Sequence, residues 1–138
     1  MTRTKRPSFR RLGEAEQAVM DHVWAHGPVS ADAVREALRE RWPMKESTVR
    51  TVLRRLEAKG YVTHTIEGRT YIYAAAEAPS AVAARAVRQL IDRFCGGSAE
   101  ALLVGLVRND VLSAAQLERL TKKIVAQKDR DIRKERDT

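Results

Sequence analysis

A chain of 138 residues, 43% hydrophobic and 32% charged, is long enough for one ordinary domain or two small modules, and no apolar run approaches the roughly 18 residues of a membrane-spanning helix. Lysines and arginines number 26 against 18 aspartates and glutamates, a formal charge of +8 that favours polyanions, either nucleic acid or an anionic membrane surface. The single cysteine, Cys95, excludes an intrachain disulfide and a cysteine-rich zinc site.

The opening stretch MTRTKRPSFRR carries Arg3, Lys5, Arg6, Arg10 and Arg11 with no acid. It reads as a flexible basic arm or as a solvated tail. It lacks the apolar segment of a secretory signal, so a cytoplasmic location is expected. A first helix is predicted from Glu14 to His26, where Leu12, Ala15, Val19 and Val23 recur at helical spacing and Glu14 and Glu16 suit the positive end of the helix dipole. His26-Gly27-Pro28 stops it. Ser30 is a good N-cap for a second helix, with Asp32 in its first turn and Val34, Ala37, Leu38 and Trp42 as its inner stripe. Pro43 ends that helix.

A third helix is predicted from Glu46 to Lys59, closed by Gly60. Val49, Val52, Leu53 and Leu56 share one side. At about 100° per residue, Ser47, Thr51, Arg54 and Ala58 form the centre of the other side, flanked by Arg50 and Arg55. YVTHTI and RTYIY are rich in β-branched and aromatic residues and read as a hairpin joined at Glu67-Gly68. AAAEAPS, residues 74–80, is the junction to a second region. There Val87, Leu90, Ile91 and Phe94 mark one helix, ended by Cys95-Gly96-Gly97. Leu102, Leu103, Leu106 and Val107 mark the next, after Ser98. SAAQ, residues 113–116, is a capping box that opens the last, with Leu117, Leu120 and Ile124 as its stripe. The mixed-charge tail KDRDIRKERDT is expected to fray.

Three helices and a two-stranded wing are the order of a winged helix-turn-helix. The predicted fold is therefore mainly α with a small β-hairpin wing: residues 1–78 as the DNA-binding domain with its basic arm, and residues 79–138 as a three-helix dimerisation region. The outer face of the third helix has the chemistry of a major-groove reader, with short donors and acceptors that approach base edges and arginines that reach guanine or phosphate. The first turns of such a helix go deepest. Ser47, Thr48, Arg50 and Thr51 are accordingly expected at bases or nearby phosphates, Arg54 and Arg55 at the backbone, and Arg69 at a flanking phosphate or the minor groove. The second region, sixty residues of amphipathic helices, is too small to bury its own stripes well. Pairing with a second copy would bury Leu90, Phe94, Leu102, Leu103, Leu106, Leu117, Leu120 and Ile124 and set two reading helices on a two-fold site. The competing arrangement folds these helices back onto the first half of the same chain.

LGEAEQAVMDHVW, STVRTVLRRLEAKGYV, EGRTYIY and FCGGSAEALLVGLVRNDVLSAAQLERL together resemble the penicillinase-repressor family, of the BlaI/MecI/CopY type, over about Leu12 to Lys128. The resemblance implies a homodimeric repressor that binds dyad operators with TACA/TGTA-type half-sites. It carries the reading role onto Ser47, Thr48, Arg50 and Thr51 and the wing role onto Arg69. It also implies a membrane sensor protease as a partner, which in the β-lactam branch triggers cleavage at an Asn-Phe bond. The matching pair here is Gly105-Leu106. Lys45 stands where family members often have a capping serine, and Ser47 and Arg50 replace the lysine and glutamine common in the β-lactam repressors. The paired Cys-x-Cys motifs of the copper-responsive branch have no counterpart.

Other readings are a non-sequence-specific DNA-binding or RNA-binding module, a protein-interaction module, and a metal-dependent enzyme. Aromatics at 5% are poor for stacking single-stranded bases. His22 and His26, at i and i+4, have metal-ligand spacing without a glutamate or third ligand of the usual motif. Cys95 reads as a small apolar residue at a helix end, with a redox thiol as the alternative. No enzymatic activity, metal, cofactor or membrane partner is expected.

Overall fold

The computed structural model describes residues 10–137; Arg3, Lys5 and Arg6 of the basic arm lie outside the described residues. The order is α1 (Glu14–His26), β1 (Val29–Ser30), α2 (Ala31–Ala37), α3 (Glu46–Ala58), β2 (Val62–Glu67), β3 (Thr70–Ala75), α4 (Pro79–Phe94), α5 (Ala99–Arg108) and α6 (Ala114–Arg136). This is the mainly helical chain with a small β wing that the sequence predicts. It divides into two compact units, one ending at Gln89 and the other starting at Leu90.

In the first unit, the helical stripes converge on one core. Val19, Met20 and Val23 of α1, Val34 of α2, and Val49, Val52, Leu53 and Leu56 of α3 are buried with Tyr61, Val62, Tyr73 and Val82. A fully buried aliphatic side chain contributes roughly 1.5–3 kcal/mol. Burial of all four predicted apolar positions of α3 therefore fixes which face of that helix turns outward. The helix ends in a Schellman turn: Tyr61 N–H donates to Leu56 O at 2.9 Å and Gly60 N–H to Glu57 O at 3.0 Å, with Gly60 at φ +87°. This glycine turns the chain directly into β2.

The sheet is antiparallel in the order β1-β3-β2. Its third strand, β1, pairs Val29 with Tyr73 and Ser30 with Ile72. Two residues are too short for a period-2 pattern, so only the hairpin is legible in advance. Glu67 pairs with Thr70, which moves the two-residue turn to Gly68-Arg69, one position beyond the expected Glu67-Gly68. Gly68 takes φ +64° while Arg69 does not have positive φ, the type II′ pattern with glycine first. Arg69 consequently sits on the tip of the wing.

The second helix is shorter than its stripe suggests. It stops at Ala37, and only Val34 of the predicted stripe is buried, with Leu38 half-buried and Ala37 and Trp42 exposed. Pro43 biases Trp42 out of helical geometry, and the residues between Leu38 and Arg41 form an open turn closed by Trp42 N–H to Leu38 O at 2.7 Å. The chain past the wing is tied to α1 where the Trp24 indole donates to Glu77 O at 3.0 Å, and Arg85 on α4 pairs with the Glu77 carboxylate.

In the second unit, the predicted caps form. Ser98 accepts from Ala101 N–H at 3.1 Å; Ser113 and Gln116 close the capping box at 3.0 and 2.9 Å. The tail does not fray after Lys128: α6 continues to Arg136. Its lysines, arginines and glutamate are good helix formers, and Arg133, Lys134 and Arg136 face the negative end of the helix dipole. Among the described residues, no helix is long and apolar enough to cross a membrane.

Candidate nucleic-acid interface

The outer side of α3 is exposed from end to end at Ser47, Thr48, Arg50, Thr51, Arg54, Arg55 and Ala58. Its N-terminal end has no side-chain cap, because Lys45 stands at the N-cap position. The free N–H groups there and the helix dipole suit an anion. Thr51 donates its hydroxyl hydrogen to Ser47 O at 3.0 Å, one turn back, so in the free protein this hydroxyl offers its oxygen as an acceptor.

Arg50 and Arg54 of α3 and Arg69 of the wing tip line one groove of about 390 Å³. Its other walls include Ser30, Ala31 and Asp32 at the start of α2, Glu46, and Thr70, Tyr71 and Tyr73 of β3. The β1-β3-β2 order creates this arrangement by bringing β1, and hence the start of α2, beside β3. Three arginines that sequence separates by up to nineteen positions thus share one concavity. Among the described residues, neither Arg54 nor Arg69 has a carboxylate partner, whereas Arg50 Nη2 donates to Glu46 Oε1 at 2.8 Å. Arg35, beside Asp32, is raised above its ordinary value by the Asp32 hydrogen bond and charge, and feels Glu46 as well.

Arg55 does not line this groove. It lies on the other flank of α3, where its charge helps to hold the Glu16 carboxyl down. On that flank Lys59 Nζ donates to Glu16 Oε1 at 2.8 Å and to Arg11 O at 3.1 Å, and the Tyr61 hydroxyl donates to Arg10 O. The last two residues of the basic arm are thereby pinned beside the C-terminal end of α3.

The groove also contains residues that sequence reasoning passed over. Glu46 had a legible signal, because a glutamate four positions before an arginine on a helix forms an ion pair. Tyr71 had none, because which wing face joins the groove depends on strand order. Tyr71 stacks on His64 with ring centroids 4.6 Å apart and planes within 7°, and His64 Nδ1 sits 2.7 Å from Glu57 Oε2. His22 and His26 have ring centroids 4.4 Å apart, and burial followed by the His26 charge pushes His22 below its ordinary value. Among the described residues, no group of three or more His, Cys, Asp or Glu side chains could hold a metal ion.

The family model described as penicillinase repressor matches residues 12–126. The chain belongs to the penicillinase repressor family. That family is one of DNA-binding transcriptional repressors and not of enzymes. Relatives of this penicillinase-repressor chain include the penicillinase repressor of Bacillus licheniformis, 26% identical over 110 residues, which are 80% of this chain and 86% of the relative. The transcriptional regulator BlaI of Mycobacterium tuberculosis is 38% identical over 99 residues, 70% of this chain and 72% of the relative. Among solved structures, the DNA-binding domain of the repressor BlaI is 28% identical, covering 56% of this chain and 92% of that one at a TM-score of 0.47.

Proposed function

We propose that this chain is a transcriptional repressor that binds an inverted-repeat operator in double-stranded DNA as a homodimer. The observation that carries the reading is the shared groove of Arg50, Arg54 and Arg69 against the exposed face of α3. With its apolar side held in the core, α3 enters the major groove by its N-terminal turns. Ser47, Thr48, Arg50 and Thr51 meet base edges or adjacent phosphates, Arg54 and Arg55 bind backbone, and Arg69 reaches a flanking phosphate or the minor groove. Arg55, on the far flank beside Arg10 and Arg11, takes the phosphates on that side.

Residues 79–138 supply dimerisation. In support, Leu90, Phe94, Leu103, Leu120 and Ile124 are exposed, and Leu102, Leu106 and Leu117 are only half-buried. Burying these stripes against a second copy sets two α3 helices on a two-fold site, and occupancy of the promoter represses from within the cytoplasm. Release follows an unassigned signal. A sensor protease acting at the family's position would have to cut at Gly105-Leu106, inside α5.

Selection of bound duplexes from a random pool at near-physiological salt tests the reading. An enriched two-fold repeat, with half-sites about one helical turn or slightly more apart, is expected. Tight binding at low salt without enrichment would reduce the protein to a basic DNA-coating module and end the repressor reading.

A further inference from the structure

Glu46 has no part in the contacts assigned above, yet it lies among them. It opens α3, lines the groove with three arginines, and accepts from Arg50 Nη2 at 2.8 Å across one turn. The two side chains are 47% and 59% exposed, so the pair contributes little to stability. A carboxylate here also repels phosphate and should weaken binding to every duplex alike.

What the pair does supply is orientation. An unpaired arginine on a helix surface samples many rotamers. Hydrogen-bonded through Nη2, the planar Arg50 guanidinium is biased toward one pose and keeps other N–H donors free, since it has five in all. Two donors suffice for the O6 and N7 acceptors of guanine in the major groove. A group that costs affinity on all sequences, while fixing one reading side chain, increases the difference between right and wrong sequences.

We propose that Glu46 is a positioning residue that holds Arg50 for bidentate recognition of one guanine in each half-site. This rests on α3 being the reading helix. It makes Glu46 a determinant of specificity and a modest opponent of general affinity.

The test is the duplex selection above, run with the full chain in parallel as wild type, Glu46→Gln, Arg50→Ala and the double variant. Circular dichroism checks that each variant folds. Glu46→Gln removes the charge but keeps an oxygen that can accept from Arg50, whereas Glu46→Ala, added to the set, removes both. Glu46→Ala should lower the preference for guanine at one position per half-site several-fold, leave other positions unchanged, and tighten binding to a scrambled duplex. In the Arg50→Ala background it should change no base preference. If Glu46→Ala tightens binding to all duplexes equally and leaves base preferences intact, Glu46 acts by charge alone and the proposal fails. If the same base shift persists without Arg50, Glu46 reads the base directly and the proposal again fails. A wild-type profile without any preferred sequence would overturn the repressor reading itself, and this inference with it.

Discussion

The two units have similar helical stripes and very different interiors. The first closes a core of valines, leucines, tyrosines and Met20 from three helices, the sheet and the start of α4. Beyond Val82, Ile91 alone is buried among the described residues, and α5 and α6 bury none. Yet α5 is AEALLVGLVR, more apolar in composition than α3, ESTVRTVLRRLEA. Apolar periodicity therefore says which face seeks burial and not what covers it. Two other helices, α1 and α2, and the sheet cover the stripe of α3, while the stripes of α5 and α6 stay unburied among the described residues.

The sharpest way to break that contrast is to truncate one leucine from each side of it. Leu53 is fully buried, so Leu53→Ala should lower the unfolding free energy by about 2–5 kcal/mol. Leu103 on α5 is exposed, and Leu103→Ala at low protein concentration should cost within about 0.5 kcal/mol. Equal losses in urea titration would mean that the second unit has a closed core of its own. Next in size is the double change Leu120→Asp with Ile124→Asp. Sedimentation should show a monomer in place of a dimer, and operator affinity should fall about a hundredfold as two-site binding is lost. An unaltered dimer would move the interface off α6.

Charge sharpens the comparison from the other side. Arg54 and Arg69 are exposed and have no carboxylate partner among the described residues, so Arg54→Ala or Arg69→Ala should leave the melting temperature unchanged. Each should weaken duplex binding several-fold and reduce the slope of log affinity against log salt by about 0.9, one phosphate contact. A full slope with weaker binding would indicate that the lost contact is to a base.

Much of this was legible in the chain because α3 obeys a helical period strictly. Val49, Val52, Leu53 and Leu56 are all buried, which placed Ser47, Thr51 and Arg54 outside. The parts that were missed depend on pairing, which periodicity does not encode. Strand β1 exists only because Val29 and Ser30 meet β3, and the turn at Gly68-Arg69 is set by the ladder between Glu67 and Thr70. The junction of Arg69 with Arg50 and Arg54 follows from that ladder too. At the tail, composition misled in the opposite direction: mixed charge looked like fraying but is compatible with a solvated helix to Arg136.

The smallest expected effect concerns the ion pair that ties α1 to the end of α3. Burial pushes the Glu16 carboxyl upward, and among the described residues its Oε2 has no hydrogen-bond partner. Hydrogen bonds from Lys59 and the Gly13 N–H, with the charges of Lys59 and Arg55, outweigh that burial, so Glu16 lies below its ordinary 4.5. A carboxyl held down by folding stabilises the folded state above its unfolded value, and the contribution disappears as pH falls through the folded value. Wild-type stability should therefore decline as pH drops below about 4.5, and Glu16→Gln should be less stable at neutral pH without that component of the decline. Urea unfolding between neutral pH and acid should show the two curves converging. A constant gap would mean that Glu16 holds the first unit together by packing and capping, with its charge playing no part.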